Sequence, residues 1–354
     1  MQQALDDLID KVRAAAADKT LLCIRGSGSK DWYGEAPQGR VLDTRAFAGI
    51  VSYDPAELVL TARCGTPLAE IEAALAERGQ MLPFEPPHFN SEATFGGMVA
   101  AGLSGPRRAT AGALRDFMLG AELLDGRAQQ LHFGGEVMKN VAGYDVARLL
   151  AGSLGTLGVI LTASLKVLPR PPAEITLHFE MDEPAALLAL NQWAGQPLPI
   201  SASAWQDGLL TLRLSGAVAA VKAAAAKLGG MRVENEEGAQ FWASLREQQH
   251  MFFLNNGPLW RLALPSTAAP TGLPGRQLIE WGGSQRWLSS DAAADAIRAR
   301  AAELGGHATL YRRSSVDTPV FTPLPEAQLR IHRNLKAAFD PMGIFNPGRM
   351  IPGL

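Results

Sequence analysis

Apolar residues at Leu5, Leu8, Ile9 and Val12 follow the i, i+3, i+4, i+7 spacing of one helical face, so residues 2–17 are expected to form an amphipathic helix. The run Leu21-Leu22-Cys23-Ile24-Arg25 reads as a short buried strand ended by the loop 26–34. A second strand over 58–63 leads to Gly65. Thr66 then supplies an N-cap with Pro67 at the first helical position, and Gly79 closes the helix. Leu68, Ile71 and Leu75 share one face of that helix. Runs over 117–124 and 128–133 read as a hairpin joined at Asp125-Gly126, the dipeptide preferred by a type I′ turn. A short helix over 145–150 and a strand over 159–168 follow.

Pro169-Arg170-Pro171-Pro172 interrupts this pattern, because adjacent prolines continue neither a helix nor a central strand. A boundary is expected here, giving domains 1–172 and 173–320 and a segment 321–354 that returns to the first. Beyond the prolines come strand 174–181, helix 183–194, strands 200–205 and 209–215, helix 217–228 and strand 231–234. That β-α-β-β-α-β order is ferredoxin-like. Segments 259–264, 276–281 and 285–289, helix 291–304 and strand 307–313 are candidates to extend the same sheet. A helix around 331–339 precedes the irregular tail DPMGIFNPGRM, and no sequence repeat is visible. The fold class expected is α+β.

Composition narrows the function. The 354 residues, 47% hydrophobic and 19% charged, suit a globular protein of two or three domains at ~150 residues each. A net charge of −2 leaves no basic excess for nucleic acid. Two cysteines, Cys23 and Cys64, form neither a disulfide framework nor a four-cysteine metal site. The first residues mix Asp6, Asp7 and Asp10 with Lys11 and Arg13, unlike a signal peptide. The uncharged stretch 149–165 is too short and too rich in glycine to span a bilayer. A cytoplasmic protein with no transmembrane segment is expected.

The 36 glycines gather in three clusters of the first half, where backbone must come close to another body. Arg25-Gly26-Ser27-Gly28-Ser29-Lys30 follows a strand and offers backbone amides to an anion. It is not a dinucleotide fingerprint, because Asp31 stands where a third glycine belongs, and a plain tight turn explains it equally well. The second cluster, Thr94-Phe95-Gly96-Gly97-Met98-Val99-Ala100-Ala101-Gly102, has Thr94 and the later Ser104 as hydroxyl donors to phosphate. Close helix packing demands the same small residues. The third, Gly152-Ser153-Leu154-Gly155-Thr156-Leu157-Gly158-Val159-Ile160, suits either an adenine edge or an ordinary turn into a strand.

Taken in this order, with Gly143-Tyr144-Asp145 before the third cluster and Asp340–Arg349 near the end, the motifs resemble the vanillyl-alcohol oxidase or para-cresol methylhydroxylase (PCMH) type of FAD-binding family. The resemblance covers the first ~170 and last ~30 residues, the extent expected of a two-lobed FAD-binding domain with a ferredoxin-like cap between. Segments GGMVAAGLSGPRRAT, FGGEVMKNVAGYDVARLLAGS and KVLPRPP are similar to the family of smaller flavoprotein subunits of bacterial glycolate oxidases. The resemblance implies FAD held by Arg25, Gly26, Ser27, Gly28, Ser29 and Lys30, and by Thr94, Gly96, Gly97, Ala100 and Gly102. It implies Gly158, Val159 and Ile160 at the adenine, Lys139, Asn140 and Tyr144 near the ribityl chain and ring, and Asn346 near the isoalloxazine. Family members tether flavin through a His or Cys. Neither stands at the matching positions, so the FAD is expected to be non-covalent. The implied partners are a larger FAD-containing glycolate oxidase subunit, an iron–sulfur subunit and a small 2-hydroxy acid. The assembly is cytoplasmic, or peripheral at the inner membrane through its complex.

Catalytic residues are not visible in the sequence. The six histidines show no paired spacing, and the metal-holding segment of related 2-hydroxy acid enzymes is missing. His307 with Arg312 offers a base and a carboxylate anchor, but a lone histidine is more often structural. Six tryptophans of the cap (Trp193, Trp205, Trp242, Trp260, Trp281 and Trp287) are expected in its core rather than on an interface. Three readings follow: an FAD-carrying subunit dependent on a companion, a self-sufficient dehydrogenase using His307 and Arg312, and a non-redox scaffold.

Overall fold

A computed structural model describes residues 2–135, 145–254, 257–313 and 318–354. The first lobe begins with α1 (Gln2–Asp18), β1 (Leu22–Arg25) and β2 (Arg40–Asp43), the two strands pairing in parallel. Then come β3 (Ile50–Asp54), β4 (Val59–Arg63), α2 (Leu68–Glu77), β5 (Gln80–Met81), α3 (Phe95–Ala101), α4 (Arg108–Ala111) and α5 (Leu114–Phe117). The lobe closes with β6 (Met118–Leu124), β7 (Gln130–Gly134), β8 (Val159–Lys166) and β9 (Leu168–Pro169). Its main sheet is antiparallel, in the order β3-β4-β8-β6-β7. β8 lies at its centre and is buried on both faces. Leu68, Ile71, Leu75, Phe95 and Met98 of α2 and α3 cover one face, while Leu8 and Val12 of α1 pack with Leu22, Leu42 and Val159 on the other.

Three local expectations are corrected. α2 starts at Leu68, and the Thr66 hydroxyl does not cap it. That hydroxyl donates to the Arg63 carbonyl at 2.7 Å and accepts from Gly49 N at 2.9 Å, so it ties two loops together. The β6–β7 turn is not type I′. Ala128 N donates to the Asp125 carbonyl, and Ala128, not Gly126, takes positive φ (57°), a three-residue loop with a left-handed closing residue. Gly126 is needed for room: a Cβ there would lie 2.7 Å from an Asp340 carboxylate oxygen. Between 145 and 150 only a single 3₁₀ turn, Ala147–Leu149, forms.

The cap comprises β10 (Ala173–Glu180), α6 (Glu183–Ala194), β11 (Ile200–Gln206), β12 (Leu209–Gly216), α7 (Val218–Leu228), β13 (Met231–Val233) and α8 (Asn235–Arg246). β14 (Leu259–Ala263), β15 (Arg276–Glu280), β16 (Gln285–Ser289), α9 (Ala294–Glu303) and β17 (His307–Arg312) follow. All eight strands join in one sheet, β13-β10-β12-β11-β15-β16-β14-β17. The order contains a repeat that the sequence hides. Strands β10 to β13 lie in the order fourth-first-third-second, and β14 to β17 lie in the same order reversed in space, the halves meeting at the antiparallel pair β11–β15. The second half keeps α9 but replaces its first helix by the loop 264–275.

One face of this sheet packs Leu210, Leu212, Leu214, Leu262 and Leu288 against α6, α7 and α9. The other faces α8 and the first lobe and carries Thr176, Arg213, Gln285, Arg261 and Thr309 at alternate positions. Tyr33, Leu103 and Leu154 of the first lobe pack here with Trp242, Trp287 and Tyr311. Trp205, Trp242, Trp260 and Trp287 are buried, and Trp193 and Trp281 partly so. Glu85 stitches the layers, accepting from Arg213 at 2.8 and 3.0 Å and from Arg107 N at 2.9 Å. Burial alone would raise its pKa, but Arg213 and Arg107 outweigh this and hold it below the usual carboxylate value. Finally α10 (Glu326–Phe339) and the tail return to the first lobe, where Phe345 bridges to Leu22. Among the described residues no helix is long and apolar enough to cross a membrane.

Candidate functional site: a glycine-lined cradle

The first and second glycine clusters come together in a cradle that also takes in Leu154 of the third. Its walls include Gly26, Ser27, Gly28, Ser29, Lys30, Thr94, Gly97, Ala100, Leu154 and Asn346. Leaving the sheet after β1, the chain turns at Gly28 (φ 79°), where a side chain would strike the Arg25 guanidinium. Among the described residues no protein oxygen accepts from the amides of Gly26, Ser27 or Gly28. The Ser27 hydroxyl accepts from Ser29 N at 3.4 Å, and Arg25 pairs with Asp31 at 2.6 Å, neutralising the one carboxylate in the wall.

The glycines differ in what they serve. A Cβ at Gly26 would lie 2.2 Å from Thr94 Oγ1, so this glycine lets the first loop sit on α3. Thr94 caps α3 by accepting from Gly97 N at 3.3 Å. Gly96 lies against the Cys64 backbone and Gly102 (φ 63°) against that of Gly152, so both are packing positions. At Gly97, only Thr94 Oγ1 comes within 4 Å of an added Cβ; the rest faces the cradle. Ala100 lines the cradle while its carbonyl accepts from Leu154 N at 2.8 Å.

Lys30 is the main electrostatic feature. Its Nζ donates to Ser29 Oγ at 3.2 Å and the His88 carbonyl at 3.3 Å and sits 5.4 Å from the Phe89 ring centre. No carboxylate lies within ion-pair distance of it among the described residues. Burial lowers its pKa to about 8 despite the pull of Glu247. An amine held this way gains from an anion, so the cradle fits a diphosphate-bearing cofactor such as FAD: open amides, a cation without counter-charge, and a wall that a Cβ would invade.

Three sequence expectations land elsewhere. Val159 and Ile160 are buried in the core of β8, paired with Leu124 and Leu123, and their side chains do not line the cradle. Gly158 is there because a Cβ would lie 2.6 Å from the Leu124 carbonyl. Asn346 reaches the cradle, but its side chain is a clasp: Oδ1 accepts from Ile24 N at 2.7 Å and Nδ2 donates to the Leu154 carbonyl at 2.6 Å. Lys139, Asn140 and Tyr144 lie outside the described residues. Cys23, Ile24, Asp31 and Ala101 also line the cradle, and sequence reasoning did not single them out. Arg349 serves the first loop rather than open space in the cradle. It donates to the carbonyls of Lys30, Asp31 and Glu35, fixing the first loop from the tail.

The remaining histidines explain why no base stood out. His307 is exposed at the start of β17, without a carboxylate partner among the described residues. Arg312 is spent on Gln248 Oε1 at 2.8 Å and the Phe253 carbonyl at 2.9 Å. One His–carboxylate pair near the cradle had no sequence signal: His88 Nε2 lies 3.2 Å from Glu72, across a turn of chain. Glu72 faces the groove toward Arg170 and Arg246 rather than the cradle.

Comparison with known proteins places this geometry. The family described as FAD binding domain matches residues 3–134. Alkyldihydroxyacetonephosphate synthase shares the fold, with a TM-score of 0.67 at 15% identity over 97% of this chain and 74% of that one. The glycolate oxidase subunit GlcD of Bacillus subtilis (strain 168) is 32% identical over 155 residues, 43% of this chain and 33% of its own length. The glycolate oxidase subunit GlcE of Escherichia coli (strain K12) is 52% identical over 343 residues, 97% of this chain and 96% of that protein. Sharing half its residues with that subunit along almost the full length of both, the chain belongs to the family of the glycolate oxidase subunit GlcE.

Proposed function

We propose that this chain is the FAD-carrying subunit of a multi-subunit glycolate oxidase, which oxidises glycolate and D-lactate to the 2-oxo acid and passes electrons through flavin to an iron–sulfur subunit. The observation that carries the reading is the cradle, whose open amides and Lys30 ammonium suit a diphosphate. When bound, the flavin supplies a two-electron acceptor. This chain's residues contribute the rest. Gly26, Ser27 and Gly28 hold the diphosphate through backbone amides, Lys30 balances its charge, and Gly97 gives it room. The Asn346 and Arg349 clasp keeps the loop in place. Residues 1–172 act as the FAD-binding domain, 173–320 as the cap and 321–354 as the returning segment. A larger flavin subunit and an iron–sulfur subunit complete the assembly in the cytoplasm or on the inner face of the membrane.

Among the described residues the cradle wall holds no histidine and its cysteine, Cys23, is buried, which supports an FAD held non-covalently. The purified chain should be yellow, and acid precipitation should release its flavin to the supernatant. Colour retained in the pellet would overturn the non-covalent claim, and a colourless chain that takes up no added FAD would favour a scaffold.

A further inference from the structure

Most guanidiniums buried between the lobe and the cap are balanced: Arg107 and Arg213 by Glu85, Arg313 by Glu35 at 2.9 Å. Two are not. Arg261, in the middle of β14 on the sheet face turned to the first lobe, donates once, to Tyr33 Oη at 3.1 Å. Its guanidinium lies 5.8 Å from the Tyr33 ring centre and 5.4 Å from that of Tyr311. The guanidinium of Arg108, which starts α4, lies 4.4 Å from the ring centre of Trp281, and the side chain makes no hydrogen bond or ion pair among the described residues. Both side chains are partly buried. A half-buried cation without a counter-charge is unfavourable, and stacking on aromatic rings orients a guanidinium while leaving its N–H edge free.

The sheet register puts both at one corner. Trp281 stands just ahead of Gln285, which lies opposite Ala263, itself opposite His307; Arg261 is two residues along β14 on the same face. Of the nearby acids, Asp116 accepts from Ala113 N at 2.8 Å and attracts Arg108 only from beyond ion-pair distance, while Arg115 and Arg261 repel it; Glu280 accepts from Trp287 Nε1 at 2.6 Å and from Gln285.

We propose that Arg108 and Arg261 form a subsite for the carboxylate of a small 2-hydroxy or 2-oxo acid, in the corner between α4 and the cap sheet. The inference rests on the glycolate oxidase reading and puts substrate or product recognition on this chain. A guanidinium presents paired N–H donors that match a carboxylate. Thr309, opposite Arg261, and His307 at the exposed end leave one hydroxyl and one imidazole for a single oxygen beside the carboxylate.

Calorimetry on the purified full chain with sodium glycolate, against sodium chloride of equal ionic strength, tests the assignment without turnover. Saturable glycolate binding is expected, weakened at least tenfold by Arg108→Gln and by Arg261→Lys. The double variant should lose much less than the product of the two effects, because both groups hold one ligand. Absence of saturable binding, or unchanged binding in both variants, overturns the subsite. Should Arg261→Lys melt early through lost stacking, Arg108→Gln decides alone. Flavin content is measured on the same samples. Binding in a flavin-free chain would defeat the functional reading and keep the subsite, whereas flavin without binding would do the reverse.

Discussion

Neighbouring glycines in one motif carry opposite burdens. Gly96 exists because the Cys64 backbone is in the way, and Gly97 because the cradle is. Gly96→Ala should therefore cost stability, about 1–3 kcal/mol for a methyl forced into a packed contact, and lower the thermal midpoint. Gly97→Val should leave that midpoint within a few degrees of the parent and remove FAD retention. Flavin absorbance and a melt on each variant check the pair, and the assignment fails if Gly97→Val keeps its flavin. At this scale the sequence was informative only about position. It marked both glycines, but which one meets a ligand depends on Cys64, some thirty residues away, and no local pattern encodes that. Arg108 and Arg261 were invisible for a related reason, since an arginine is ordinary until its carboxylate partners are counted in space.

Among the elements, the tail does most to shape the cradle. Asp340 accepts from Ile344 N and Phe345 N and pairs with Lys336 at 2.7 Å, while Lys336 Nζ reaches the carbonyls of Thr156 and Phe345. That turn presents the Asn346 amide to two backbones at once. Asn346→Asp keeps the shape but sets a carboxylate oxygen against the Leu154 carbonyl, so a loss of about 1–3 kcal/mol or more is expected, with flavin affinity falling alongside. A denaturant titration and FAD binding measure both; loss of neither would remove the clasp from the argument. Periodicity revealed α1, α2, the first ferredoxin-like half and α9 because each buries one clear stripe. It missed β2, where only Leu42 is buried, and α8, whose start, with Glu234 just ahead of it and Glu236 and Glu237 in its first turn, looks like a solvated loop. The second ferredoxin-like half lacks one helix, so its likeness to the first survives only in strand order.

For the whole molecule, flavin binding and substrate chemistry separate. A positioned base is worth roughly 10²–10⁴-fold in rate, and neither His307 nor the His88–Glu72 pair is built into the cradle wall. The isolated chain is therefore expected to oxidise glycolate poorly even with FAD bound, and His307→Ala should leave turnover of the full assembly within a few-fold of the parent. Dye reduction by the single chain at enzyme-like rates, abolished by His307→Ala, would establish the self-sufficient dehydrogenase instead. The resemblance read from the glycine clusters agrees with the GlcE family membership, and the ferredoxin-like order read beyond the prolines is the first half of the cap sheet.

The Asn346 clasp also sets an order of events during synthesis. Ile24 leaves the ribosome 322 residues before the side chain that accepts from its amide. By then the five-stranded sheet and all eight strands of the cap have been made and can have collapsed. The first glycine loop must wait, tied by neither Asn346 nor Arg349, until those residues have been made. Firm cofactor capture thereby follows those residues, and a chain ending at Phe345, which keeps the core contacts of Ile344 and Phe345, should retain less FAD than the parent.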